Sequence, residues 1–137
     1  MSSRVRREGT ANLVAAAAGA GADRLLLQSV VWVARQPDGR PFDESAEPHP
    51  DRSTRSALQA ERIVEAGADE HGFEPVVLRG GWFYAHDTAH TRTYGEGLLT
   101  RRMSIVGGGP LGRRDATLSF VHVDDAATAF ADAVEEE

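Results

Sequence analysis

The sequence contains no cysteine and no lysine. Without thiols the chain forms no disulfide, thiolate nucleophile, cysteine-held zinc site or iron–sulfur cluster. Without lysine it has no Schiff-base amine, no phosphate-loop ammonium and no lysine-assisted proton transfer. All fifteen basic residues are arginine, in an Ala-, Gly-, Arg- and Asp-rich composition that coding bias accounts for better than salt adaptation. Long apolar runs are missing too: no stretch reaches the ~20 residues of a membrane span. There is no basic stripe either. Arg6–Arg7, Arg101–Arg102 and Arg113–Arg114 are scattered pairs on a chain of net charge −6, which argues against a nucleic-acid surface. The opening "MSSRVRREGTANLVAAAAGAGA" has the outline of a secretory signal, but only Leu13 and Val14 are bulky and Glu8 interrupts the basic part. We expect an Ala-rich helix there and a cytoplasmic protein.

What is present fits one domain with a real core: 137 residues, 41% hydrophobic and 26% charged. Residues 4–18 read as a helix ended by Gly19 and Gly21. "RLLLQSVVWV" (24–33) is a valine-rich apolar run, the pattern of a strand buried on both faces. A loop with four prolines (35–51) leads to "DRSTRSALQAERIVEAG" (51–67), a helix continuing to Gly72. Asp51 and Ser53 are its candidate caps, and Ala57, Ala60, Val64 and Ala68 form its apolar stripe. "EPVVLRGG" (74–81) reads as a second buried strand, 82–97 as a loop of aromatics, histidines and glycines, and 95–102 as a short helix. "SIVGGG" (104–109) and "ATLSFVHV" (116–123) read as strands, and Asp124 or Asp125 caps a last helix to about 135. The order implies a parallel α/β sheet, with ligands at the carboxyl ends of its strands. That places Ser29–Val33 beside Arg79–Tyr84.

Three constellations carry possible chemistry. "GGGPLG" (107–112) spells a dinucleotide fingerprint, yet Pro110 lies inside it and a strand follows, so a turn is the better reading. "HDTAH" (86–90) spaces two histidines for one helix face, but no helix is expected there and only Asp87 could join them, so no metal site is assigned. Ser29, His122 and Asp124 have the types of a nucleophilic triad without a nucleophile elbow around Ser29. Ser29 does stand at a strand end, where its hydroxyl could meet a substrate oxygen.

"EGTANLVAAAAGAGADRLLLQSVVWVA", "ALQAERIVEA", "EPVVLRGGWFYA", "IVGGG" and "SFVHVDDAATAF" follow one another as in the NAD-dependent epimerase/dehydratase family of extended and atypical short-chain dehydrogenases, which the chain resembles from about residue 6 to 135. The resemblance implies a partial Rossmann-type parallel sheet with flanking helices. All of 1–137 would be an incomplete NAD(P)-binding domain, with 85–120 contributing to a small substrate-side subdomain. It implies NAD or NADP as cofactor, Ser29 as a tentative catalytic and substrate-binding hydroxyl, and Gly80, Gly81, Trp82 and Phe83 beside the nicotinamide. Tyr84, Tyr94 and His122 would line the substrate pocket.

The departures are as informative. Aligning "SALQAE" with the family pattern puts Ser53 where its catalytic tyrosine belongs and Ala57 where its lysine belongs. The lysine would lower the phenol pKa for proton exchange, and neither residue here can replace that pair. The family's glycine-rich phosphate turn belongs to an N-terminal mononucleotide-binding half that the resemblance does not cover. Leu118 stands where sugar-nucleotide enzymes commonly carry arginine, with Arg113–Arg114 displaced, which argues against a nucleotide-sugar substrate. The expectation is a truncated or degenerate member derived from enzymes of small hydroxy, keto or sugar-type substrates. Dinucleotide binding by this chain alone is doubtful. The alternative is a non-catalytic module whose open sheet edge is covered by a second copy or a partner chain.

Overall fold

The computed structural model describes residues 3–102 and 118–135. The first helix, α1 (Ser3–Ala20), ends in a Schellman turn. Gly21 takes φ +64° there, Ala22 N–H donates to Ala17 C=O at 3.0 Å, and Gly21 N–H to Ala18 C=O at 3.2 Å. Gly19, expected to help stop the helix, lies inside it.

Strand β1 (Arg24–Val30) is shorter than its apolar run, because the chain winds into a 3₁₀ turn over Val31–Ala34. An extended chain would point alternate residues outward. The turn instead sends Val33 and Ala34 both inward, 0% and 1% exposed, against Ala57 and Leu58. Helix α2 (Arg55–His71) and strand β2 (Glu74–Gly80) complete a βαβ unit with β1 and β2 parallel. The expected stripe is buried: Ala57, Ala60, Val64 and Ala68 all face inward. Gly72, at φ +80°, closes α2 by donating its N–H to Ala68 C=O.

Asp51 holds the entry to α2. Its carboxylate accepts from Ser53 N–H at 2.7 Å, Thr54 N–H at 2.9 Å and the Ser53 hydroxyl at 2.6 Å. Ser53 is thus a donor to Asp51 rather than a cap, and the helix starts after Thr54.

Neither core strand is buried on both faces. Only Ser29 in β1 is fully buried, since a two-stranded sheet shades few of its own side chains. The remaining elements differ most from expectation. Trp82–Tyr84 is a strand, β3, paired in parallel with β4 (Phe120–His122), and not a loop. Helix α3 (Ala89–Leu99) begins six residues before the expected short helix, behind a Thr88 cap whose side chain accepts from Thr91 N–H. It ends with Arg101 at φ 54° and Arg102 N–H donating to Gly97 C=O at 2.8 Å. Helix α4 (Val123–Glu135) starts one residue before Asp124, and the His122 ring caps it by accepting from Asp124 N–H at 3.2 Å. Residues 103–117, with "SIVGGG", the "GGGPLG" match and Arg113–Arg114, lie outside the described residues.

α1 packs along α2, while α2 and α4 both rest on the β1–β2 pair. Val14, Val64, Ala68 and Phe73 form one core cluster. Gly67 is needed there: a Cβ on it would fall 2.3 Å from Val14 Cγ1. Gly67→Ala should therefore destabilise the chain by about 1–2 kcal/mol, overpacking outweighing the helix-propensity gain. In a Val14→Ala background the same change should cost little. A Gly67→Ala chain with a higher urea midpoint than its parent would refute this packing.

The Asp51 contacts, the Ser53 hydroxyl first, hold its carboxyl at about 2, below its ordinary 3.8. A depressed folded pKa contributes stability above the unfolded value and loses it as pH falls through the folded one. Stability should fall between pH about 4 and about 2, and Asp51→Ala should flatten that part of the curve in denaturant titrations across this window.

Candidate active site

The carboxyl ends of β1 and β2 carry a buried polar group that joins three elements. In the sheet register Ser29 stands opposite Arg79. Beneath both, Glu61 projects from α2 and is 1% exposed. The Ser29 hydroxyl donates to Glu61 Oε1. Arg79 grips the same carboxylate through one edge of its guanidinium, Nε donating to Oε1 at 3.1 Å and Nη2 to Oε2 at 2.7 Å. This is the two-point geometry that suits arginine and carboxylate. The Glu61 hydrogen bond holds the Arg79 guanidinium above its ordinary value. No buried side-chain polar atom is left unpaired among the described residues.

Sequence reasoning missed Glu61. The signal was an acid on the apolar side of α2, between Ala60 and Val64, and a lone arginine in an otherwise apolar strand. A charge on a buried stripe demands a partner.

Ser29 is 5% exposed and its hydrogen is committed to Glu61. Together with Ala57, Thr10 and Arg6 it lines a cavity of about 310 Å³ between α1, β1 and α2. The structure thus brings Ser29 and Ala57 to one cavity, whereas Ser53 stays exposed on Asp51.

The other expected residues divide into two ring clusters. Trp82 meets Trp32 on one side and Tyr94 of α3 on the other, each pair edge-to-face with centroids 5.5 Å apart. Tyr84 packs edge-on against His122 at 5.1 Å and Phe120 at 6.4 Å. A Ser–His–Asp triad does not form: Ser29 donates to Glu61, and His122 engages Asp124. His86 precedes α3 and His90 lies in its first turn. Among the described residues no three His, Asp or Glu side chains are grouped to hold a metal.

Gly80 and Gly81 have packing reasons of their own. A Cβ on Gly80 would meet Phe83 Cζ at 2.8 Å, and one on Gly81 would lie 2.4 Å from the Ser119 carbonyl oxygen. Trp82 N–H donates to that same carbonyl at 2.8 Å. For a dinucleotide, the described residues offer strand ends and rings but no glycine-rich turn leading from a strand to a helix N-terminus. Such a turn is what cradles a pyrophosphate in dinucleotide-binding folds.

The profile of the NAD dependent epimerase/dehydratase family matches residues 3–137. The chain belongs to that family. A 3-diazoavenalumate denitrifying reductase from a Streptomyces species is 39% identical over 144 residues, an alignment covering 98% of this chain and 44% of the reductase. Among solved structures, the UDP-glucose 4-epimerase of Thermus thermophilus, in complex with NAD, superposes with a TM-score of 0.78 at 21% identity, over 97% of this chain and 46% of its own. The Thermotoga maritima UDP-glucose 4-epimerase, with UDP-glucose, gives 0.78 at 19%, over 98% and 45%. These likenesses establish a Rossmann-type fold. The chain spans less than half the length of this reductase and of these two epimerases.

If Glu61 is compensated chiefly by Arg79, removing the arginine strands a buried carboxylate. Arg79→Met should cost about 3–5 kcal/mol. The double variant Glu61→Gln/Arg79→Met should recover much of that loss, a coupling read from a double-mutant cycle in urea. Additive losses would show that the two charges are not energetically joined.

Proposed function

We propose that the chain forms the substrate-side part of an NAD(P)-dependent reductase-like member of the epimerase/dehydratase family, one that works without the tyrosine–lysine pair. The observation that carries this reading is the 39% identity to a reductase across 98% of the chain. Under it, Ser29, Tyr84, Tyr94 and His122 border the substrate, and Gly80–Phe83 border the nicotinamide. The setting is cytoplasmic, and no helix among the described residues is long and apolar enough to cross a membrane.

The missing pair narrows the substrate. Reducing a carbonyl, or oxidising an alcohol, requires the reacting oxygen to exchange a proton, the task of the phenol. Serine at 53 and alanine at 57 cannot perform it. A hydride from a reduced nicotinamide would replace the diazonium group of an aryl ring with hydrogen and release dinitrogen (ArN2+ + H− → ArH + N2), which calls for no proton and leaves no alkoxide. A diazo compound is the substrate named for the Streptomyces relative. A small diazo-bearing compound therefore fits these residues better than a sugar alcohol or a ketone does.

A second reading is a non-catalytic Rossmann-like module completed by another chain. It is favoured by β1, which among the described residues pairs on one side only, with β2.

Titrated calorimetrically with NADH and NADPH, the 137-residue chain should bind neither more tightly than about 1 mM, since the described residues include no glycine-rich turn opening a helix. Micromolar binding would overturn this assignment of the cofactor's phosphates to a segment outside this chain. A concentration-dependent dimer in light scattering on the same sample would favour the second reading.

A further inference from the structure

We propose that Trp32, Trp82 and Tyr94 form a recognition site for the planar aromatic ring of a small substrate. This deepens the reductase-like reading and rests on it for the word substrate, but the ring site itself requires only residues of this chain.

The site begins where the polar group ends. Ser29 and Arg79 are register partners on β1 and β2, and the two tryptophans stand three residues beyond each of them. Both rings therefore lie past the carboxyl ends of the parallel strands, where open α/β sheets receive ligands. The 3₁₀ turn makes the placement possible. It commits Val33 and Ala34 to the core and leaves Trp32 only half-buried above them.

The rings are not arranged as a filled core. Trp32 meets Trp82 at 65° and Trp82 meets Tyr94 at 85°, each with centroids 5.5 Å apart. An edge-to-face contact covers one face of one ring and leaves other faces uncovered by that neighbour. All three residues are half-buried, although a ring of this size gains most from full burial. None of the three belongs to either of the two clusters that make up the core. Offset or edge-on stacking of a further ring would cover the remaining aromatic surface in the geometry such pairs favour. Sugar recognition would call for several converging polar groups. Beside these rings the charged pair nearest in register, Glu61 and Arg79, is already spent on itself.

The chain carries only two tryptophans, and both are in the cluster. Their two indole N–H resonances in a ¹⁵N–¹H spectrum therefore report on this site alone, once Trp32→Phe has assigned them. Added 4-hydroxybenzoate should shift both resonances saturably, while cyclohexanecarboxylate and UDP-glucose should leave them in place. Trp32→Leu and, separately, Tyr94→Ala should weaken 4-hydroxybenzoate binding about three- to tenfold, the share of one aromatic pair. Tyr94→Ala lies on a helix with no buried residue, so it tests the site without touching the core. Indoles unmoved by 4-hydroxybenzoate would overturn the proposal. Equal shifts with cyclohexanecarboxylate would also overturn it, as a generic apolar surface, and so would shifts with UDP-glucose alone, as a sugar site. None of these outcomes depends on dinucleotide binding, so failure here is separable from failure of the cofactor assignment.

Discussion

A single buried carboxylate ties this small fold together. Glu61 rises from the middle of α2 among the buried Ala57, Leu58, Ala60 and Val64 of the same helix, and there it joins β1 through Ser29 and β2 through Arg79. Desolvating a carboxylate costs several kcal/mol unless its charge and lone pairs are met. Here they are met by a serine hydroxyl and a two-point guanidinium, each on a different strand. The interaction makes the register of β1 against β2 consequential. A slip of one residue would turn Ser29 and Arg79 away from α2 and strand the charge. Glu61 thus contributes specificity of pairing more than net stability, since buried ion pairs tend to break even against apolar packing.

The same constraint bears on what lies above it. With β1 and β2 locked at Ser29 and Arg79, the chain leaves both strands at a defined height. One strand exits into a 3₁₀ turn carrying Trp32. The other passes through Gly80 and Gly81 into β3 carrying Trp82. Gly81 is held so close to Ser119 that no side chain fits, and the contact anchors β3 to the segment leading into β4. The aromatic clusters at the strand ends therefore rest on a polar lock and a steric one. Neither lock contributes a reactive group itself.

Much of the core was legible in the sequence, and the reasons differ by element. The α2 stripe, the Gly72 stop and strand β2 obey local rules of periodicity and chain termination, so they were readable without their neighbours. Strand β3 was not, because three residues become a strand only by pairing with Phe120–His122, a partner far along the chain. Gly95 and Gly97 made α3 look like a loop, yet no neighbour crowds Gly95, and the Thr88 cap sets the start. The 3₁₀ turn hid inside an apolar run because its cause is tertiary: two consecutive residues facing α2. At the site, Ser29 was singled out for its place at a strand end, and the structure gives that hydroxyl an internal acceptor. Glu61 was visible as a letter and overlooked as a charge.

The electrostatics of the site bear on the proposed chemistry. In a phenol–lysine mechanism an uncompensated ammonium stabilises the phenolate and then the oxygen on which charge develops. This chain has no ammonium on any side chain, and the arginine opposite Ser29 in the sheet register, Arg79, is neutralised by the buried Glu61. Ala57, expected from the family pattern at the lysine position, adds only a methyl group to the cavity wall. The Glu61–Arg79 pair has no spare positive charge to offer an oxyanion, so a reaction that develops one would draw no help from it; Arg6, which lines the same cavity as Ser29, donates to the Ser56 hydroxyl. A reduction whose leaving group departs as a neutral molecule makes no such demand. Under the proposed reading, the loss of tyrosine and lysine is then a change in the kind of bond being reduced, and the self-compensated Glu61–Arg79 pair could persist at the strand ends without impeding it.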